Sequence, residues 1–290
     1  QMQSNDESVK LNAIKTLSLI GEDAMEALPI LIENLKDKNV EIRTQTAKAI
    51  GCIGPEAKGA GKPLIKALKD SSPIVREAVA LALAGIKLNT RESLSSLVNA
   101  LNDKDEGVRS MAAYAIGTIG NATPEDIQAL MKRLKDQSAF VRRQAVKALG
   151  RIGPPAKGAT NLLINSIQDR DEIVRKEAIL ALIGIRGNPK LVITPIINSL
   201  KDKSPKVRVA AAIALRFIQF DSHIILDALL SALDDKNRNV RREAVKSIGK
   251  LDLKSDRVKK GLLEALRDES EFVRNEAIEG IRKIKDITII

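Results

Sequence analysis

Around Arg142 the apolar residues fall at −1, +3, +4, +6, +7 and +10: Val141, Ala145, Val146, Ala148, Leu149 and Ile152. That spacing is one face of an α-helix, with polar residues filling the opposite arc. The whole phrase, Leu134–Gly153, returns along the chain. Its basic residue stands at Lys10, Arg43, Arg76, Arg109, Arg142, Arg175, Arg208, Arg241 and Arg274, each 33 residues after the last. A fixed period of this length predicts one helical unit stacked on copies of itself, so the expected architecture is an all-α solenoid treated as one domain over 1–290.

Each unit reads as two helices. Four residues before each basic position lies Asp6, Asn39, Ser72, Asp105, Ser138, Asp171, Ser204, Asn237 or Ser270, all suited to accept a bond from a free helix N–H. Pro73 and Pro205 follow two of these caps, as a first helical residue should. Each cap predicts a second helix of about 14 residues, and Gly21, Gly54, Gly120 and Gly153 are placed to stop four of them. First helices are predicted between, over Ala24–Lys36, Gly59–Lys69, Glu125–Lys135 and Leu191–Lys201, with Pro29, Pro63 and Pro195 early in three of them. The pattern begins and ends on a second helix. The first repeat is therefore expected to be incomplete, the chain to be a fragment of a longer one, and the apolar half repeat to be a candidate for end-to-end stacking on another copy.

From Arg43 onward an Asp precedes each arginine by six residues: Asp37, Asp70, Asp103, Asp136, Asp169, Asp202, Asp235 and Asp268. At about 100° per residue the arginine lies within the apolar arc, where a guanidinium needs an acceptor. The Asp in the preceding turn is expected to supply it, giving a ladder of charge-assisted bonds along the array. A pair needed eight times over is structural rather than catalytic.

Composition adds constraints. Aromatics make up 2 % of the chain and Trp is absent, which suits thin layers of small aliphatic side chains. The single Cys52 excludes an intrachain disulfide and leans towards a reducing compartment. No stretch is apolar enough to span a membrane and no leader is read, so the expected location is cytoplasmic. One His and one Cys make no zinc site or Cys/His dyad, and neither a phosphate-binding Gly loop nor a GxSxG motif occurs. No cofactor and no metal is expected. Cys52 is expected at the surface, and His223 in a surface or capping role.

The pattern Leu-x-Asp, cap, Val-Arg, Ala-x-x-Ala-Leu-Gly-x-Ile-Gly resembles the HEAT repeat. Its short, Gly-ended form is similar to the bacterial HEAT-like repeats of the phycobilisome-lyase type. The resemblance spans about residues 5–285. It implies a right-handed α-solenoid of about nine 33-residue helix pairs, with second helices lining a concave face. Small residues at +3, +4 and +6 of these helices, such as Ala112, Ala113 and Ala115, fit close approach on that side.

Opposite the core arc, positions −2, +2, +5 and +9 form a stripe flanked by −3 and +1. Four of the five aromatics lie on it: Tyr114, Phe140, Phe217 and Phe272. The candidate partner-binding residues are Ile74, Leu81, Met111, Tyr114, Phe140, Arg143, Lys147, Arg151, Ile173, Leu180, Ile213 and Phe217. Large apolar and aromatic side chains on a solvent face favour protein partners. These six positions hold twelve basic and ten acidic residues, a difference of +2 against +11 for the chain. Most of the excess, including Lys36, Lys69, Lys135 and Lys201, reads as scattered solvation rather than a phosphate groove. Two basic clusters, Arg143/Lys147/Arg151 and Arg242/Lys246/Lys250, suit acidic groups of a partner. The expected function is a non-enzymatic protein-interaction scaffold. The alternatives are a bilin lyase or isomerase-type chromophore-handling protein and a HEAT-like nucleic-acid binder.

Overall fold

The computed structural model describes residues 7–251 and 255–283. Among these all regular structure is helical. The chain divides into two compact units, Gln1–Ala156 and Lys157–Ile290. In unit 1 the second helices are α1 (Glu7–Ile20), α3 (Val40–Ile53), α5 (Pro73–Gly85), α7 (Glu106–Ile119) and α9 (Ala139–Ile152). The first helices between them are α2 (Leu28–Asn34), α4 (Gly61–Ala67), α6 (Arg91–Ala100) and α8 (Pro124–Arg133). In unit 2 the second helices are α11 (Glu172–Gly184), α13 (Pro205–Leu215), α15 (Arg238–Ile248) and α17 (Glu271–Lys283), and the first are α10 (Thr160–Ser166), α12 (Pro189–Asn198), α14 (Ser222–Ser231) and α16 (Asp256–Ala265). Within each unit every second helix packs against the next second helix and against the first helix that precedes it. The expected cap Asp6, the leading Gln1–Asn5 and the closing Ile287–Ile290 lie outside the described residues.

Local chemistry explains the boundaries, with corrections. Asn39, Asp105, Asp171 and Asn237 cap their helices through side-chain oxygens. Ser72, Ser138 and Ser204 take the extended cap backbone but make no side-chain cap bond. Ser204 instead turns its hydroxyl to Glu172, donating at 2.6 Å. Gly21, Gly54, Gly120 and Gly153 all have positive φ, as expected of helix stops. The same repeat position is Lys87 and Arg186 in two other repeats, also at positive φ (48° and 52°). There the Leu88 and Gly187 N–H groups bond back to Leu83 and Leu182 carbonyls, closing the helix by a Schellman turn that needs no glycine at that position.

Five helices differ from expectation at a boundary. The first helices beginning near Ala24 and Gly59 open as 3-10 turns, Gly21–Ala27 and Gly54–Ala60, before α2 and α4. Pro195 sits inside α12 rather than early in it, because Asn188 caps the helix with Pro189 as its first residue. Finally, α13 and α15 stop after 11 residues. Their last amides tighten onto i−3 carbonyls, as Phe217 N–H does to Ala214 at 3.0 Å and Lys250 N–H to Ser247 at 3.0 Å.

The arginine ladder exists, but its partner is not the one expected. Six of the guanidiniums fork across to the Asp of the following repeat, 27 residues on. Arg43–Asp70, Arg76–Asp103, Arg109–Asp136, Arg175–Asp202, Arg208–Asp235 and Arg241–Asp268 each make two N–H···O bonds of 2.6–3.0 Å. Lys10 takes Asp37 in the same way with a single bond. The Asp six residues before each arginine contributes only its backbone carbonyl, as Asp70 does to Arg76 at 2.8 Å. Its carboxylate meanwhile accepts the N–H of its own repeat's cap residue, as Asp70 does from Ser72 at 2.8 Å. One carboxylate thus ties the turn of its own repeat to the helix of the repeat before. The shielded fork explains the charge states. Burial pushes Asp70, Asp136, Asp202 and Asp235 up, but the guanidinium fork and the cap N–H outweigh it and hold them below the ordinary carboxylate range. For Asp103 and Asp268 the fork itself is the largest influence.

Second helices meet at small residues. A Cβ added to Gly117 would lie 2.5 Å from the Ala148 Cα, and one added to Gly85 would lie 2.4 Å from the Gly51 carbonyl oxygen. The close approaches set position +8 (Gly51, Gly117, Gly249) against +6 of the next helix (Ala82, Ala148, Gly280), with Gly85 at +9 also lying against Gly51. The small residues at +3 and +4 are buried beside these contacts.

Candidate partner-binding face

The arc of each second helix opposite its core carries the stripe. In unit 1, Ile74 (59 % exposed) and Leu81 stand out on α5, and Phe140 (61 %) and Arg151 on α9. Met111 and Tyr114 on α7, and Arg143 and Lys147 on α9, are half-buried. In unit 2, Ile173, Leu180 and Ile213 are half-buried, while Phe217 (61 %) and Phe272 (58 %) are exposed. The half-burial of Tyr114, Leu180 and Ile213 has a simple cause. All three sit at +5, next to the +6 contact line where neighbouring helices touch, although Leu81 at the same position of α5 stays exposed. Phe217 lies beyond the end of α13, beside a cleft of about 530 Å3 lined by Leu182, Ile183, Val192 and Ile218.

Each stripe aromatic carries a guanidinium over its ring. Arg151 lies 5.0 Å from the Tyr114 centroid and also donates to Thr118 Oγ1 at 3.2 Å. Arg143 covers Phe140 at 5.2 Å, Arg216 covers Phe217 at 5.3 Å and Arg238 covers Phe272 at 5.5 Å. These contacts are cation–π in kind. They hold large rings in place along the stripe. Arg216 and Arg238 were not among the candidate residues. Arg216 is the immediate neighbour of Phe217, whereas Arg238 reaches Phe272 from the preceding repeat and leaves no local signal.

Several charges on or beside the stripe of unit 2 pair with one another. Lys206 pairs with Glu172 at 2.8 Å, Lys176 with Glu177 at 3.1 Å, Arg216 with Glu243 at 3.3 Å and Arg242 with Glu276 at 3.5 Å. Ser204 and Lys206 draw Glu172 below its usual range, the lysine bond being the larger influence. A cleft of about 400 Å3 opens among Lys176, Pro205, Lys206, Val209, Asn237 and Arg242. Lys250, the last of its expected cluster, lies past the end of α15. Cys52 is exposed, and so is His223, whose backbone N–H donates to the cap Asp221. Among the described residues no three His, Cys, Asp or Glu side chains gather to hold a metal, and no helix is long and apolar enough to cross a membrane.

Comparison with known proteins agrees with this architecture. The family model described as HEAT repeats matches residues 61–145, 127–194 and 193–282, and the HEAT repeat model matches residues 27–57. No curated protein sequence matches. Among solved structures, an Escherichia coli protein, YibA, shares 23 % identity over 99 % of both chains with a TM-score of 0.67. An engineered protein shares 23 % identity over 98 % of this chain and 87 % of its own, with a TM-score of 0.58. Both likenesses are of fold. The 33-residue period, the stacked helix pairs and the matches along 27–57 and 61–282 together place this chain in the HEAT-repeat family.

Proposed function

We propose that the chain is a non-enzymatic scaffold that docks a partner protein on the face formed by its second helices. HEAT-repeat solenoids commonly serve as protein-interaction scaffolds. The observation that carries the reading for this chain is the row of large side chains on consecutive helices of unit 1: Ile74 and Leu81, then Tyr114, then Phe140. These helices pack on each other through Ala and Gly, so the large side chains are not required for the array. A row of this kind, exposed at Ile74, Leu81 and Phe140, is what protein interfaces use. Its arginine-stacked rings give rigid anchors of the type that dominates binding energy. Arg151, with Arg143 and Lys147 beside it, suits carboxylates at the edge of such a contact. The mutual pairing of acids and bases in unit 2 argues against a phosphate track there. A single cysteine suits a reducing compartment, and we place the protein in the cytoplasm on that ground.

The test is affinity capture with the full chain, followed by the Tyr114→Ala, Phe140→Ala and Phe217→Ala variants. The partner retained by the wild type should be lost from the variants while their helical circular dichroism is unchanged. Equal retention by all of them would remove this face from consideration. Absorbance changes on mixing with a bilin would support the chromophore-handling alternative, and salt-sensitive DNA retention the nucleic-acid one.

A further inference from the structure

The stripe of the second helices accounts for little of the net positive charge, and part of the remainder gathers in one place. In unit 1 a cleft of about 560 Å3 runs between the first helices α2 and α4. Ile32 and Leu35 form one apolar wall and Pro63 and Ala67 the other. Around it stand Lys36, Lys62, Lys66 and Lys69, all exposed. Lys36 and Lys69, which look scattered along the sequence, are here two sides of one opening. The carboxylate in its wall, Asp70, is committed to the Arg43 fork and the Ser72 N–H. None of the four ammonium groups makes an ion pair with a carboxylate among the described residues.

Helix stability explains only part of this arrangement. Lys36, Lys66 and Lys69 lie at the C-terminal ends of α2 and α4, where a cation complements the helix dipole. Lys62 does not fit that account. It stands in the first turn of α4, where the dipole disfavours a cation, and four residues before Lys66, a like-charge spacing that weakens a helix. Four cations around an apolar cleft ask for a ligand that is apolar at its centre and anionic at its edges.

We propose that this cleft docks an acidic segment of a partner protein. An apolar side chain of that segment sits between Ile32, Leu35, Pro63 and Ala67, and its flanking carboxylates meet Lys36, Lys62, Lys66 and Lys69. The volume is that of a pocket that takes one or a few side chains. Lysine stems extend over the apolar walls while their heads stay in water at the rim. A membrane surface is met by apolar groups that project, whereas here they are recessed below the lysines. A nucleic-acid strand would find no aromatic ring in the cleft on which to stack a base. The site is on the first helices and stands whether or not the second-helix stripe binds anything.

The experiment uses the full chain and fluorescein-labelled short peptides of Glu and Asp carrying Leu or Phe at two positions one helical turn apart. Two control panels replace the acids by Gln and Asn, or the apolar residues by Ala. Fluorescence anisotropy should show binding of the acidic–apolar panel alone, weakening as salt rises. The Lys62→Glu/Lys66→Glu variant should bind at least about tenfold more weakly, with its thermal melt unchanged because both side chains are exposed. If that variant melts lower, Lys62→Gln/Lys66→Gln replaces it in the comparison. Phe140→Ala should leave this binding as it is, which separates the cleft from the stripe. The proposal is overturned if no acidic–apolar peptide binds, or if the lysine variants bind equally well. It is likewise overturned if phosphatidylserine-containing vesicles or duplex DNA bind this cleft in preference to every peptide.

Discussion

One edge of each second helix and the opposite face of the same helix follow different rules. At the edge, Arg43, Arg76, Arg109, Arg175, Arg208 and Arg241 repeat with the same fork and nearly the same distances, and no side chain of these pairs is more than 16 % exposed. On the face, position −2 is Ile74, Phe140, Ile173, Lys206 or Phe272 in different repeats. The array makes its demands at the edge and few on the face. A residue that must satisfy its neighbour in the next repeat is fixed by that neighbour, which is fixed in turn. A residue facing solvent is not fixed by the packing of the array, so large side chains kept there point to something outside it.

Protonating the edge should have the largest effect. Asp37, Asp70, Asp103, Asp136, Asp202, Asp235 and Asp268 are all held below the ordinary value of 3.8. Their contribution is therefore present above about pH 4 and is lost as pH falls through the lower folded-state values. Their carboxylate partners push the arginines further up, so they keep their charge throughout that window. Melting temperature should be nearly flat from neutral pH to about pH 5 and then drop steeply. A melt that stays flat well below the ordinary carboxylate value would show that the ladder contributes little.

Removing one rung is the next largest effect. Asp103→Ala strands the shielded Arg76 guanidinium and should cost about 3 kcal/mol, the lower end for a broken buried pair. Adding Arg76→Met should recover only part of that, because the carbonyls of Asp70 and Ser71 lose their donor and the Asp105 N–H loses its acceptor. Full recovery in denaturant melts would mean that the backbone bonds of the ladder carry no weight. A smaller loss comes from the helix contact line. Gly117→Ala would gain about 1 kcal/mol by helix propensity in an isolated helix. Against the Ala148 backbone it should instead lose roughly 1–2 kcal/mol. The sign of the change is the measurement.

The sequence makes the period, the helix pairs and the arginine–aspartate ladder legible because each is repeated. Periodicity also hides one answer. In a 33-residue repeat, an Asp six residues before one arginine is also 27 residues after the previous one, so spacing alone cannot say which arginine it serves. Geometry decides: the near Asp lies in the turn leading into the helix and offers its carbonyl, while its carboxylate points back to the neighbouring repeat. Arg238 over Phe272 was illegible for the opposite reason, since it occurs in one repeat only. The lysine cleft escaped because its members come from two helices that sequence order keeps 26 or more residues apart at Lys36 and Lys62.

The exposed face supplies the smallest stability effect and the sharpest functional one. Phe140 is more than half exposed, and its identified ring contact is the Arg143 guanidinium. At an exposed site that contact is worth about 0.5 kcal/mol, so Phe140→Ala should leave the melting curve within about 0.5 kcal/mol of wild type. Its partner affinity should fall by well over tenfold if the ring is an interface anchor, since such anchors cost about 2 kcal/mol or more when truncated. Arg143→Ala separates ring from charge: affinity lost with Phe140 but kept with Arg143 would make the ring the anchor and the guanidinium its support. A large stability loss in Phe140→Ala would place the ring among the structural residues and remove the distinction between edge and face on which the binding proposal stands.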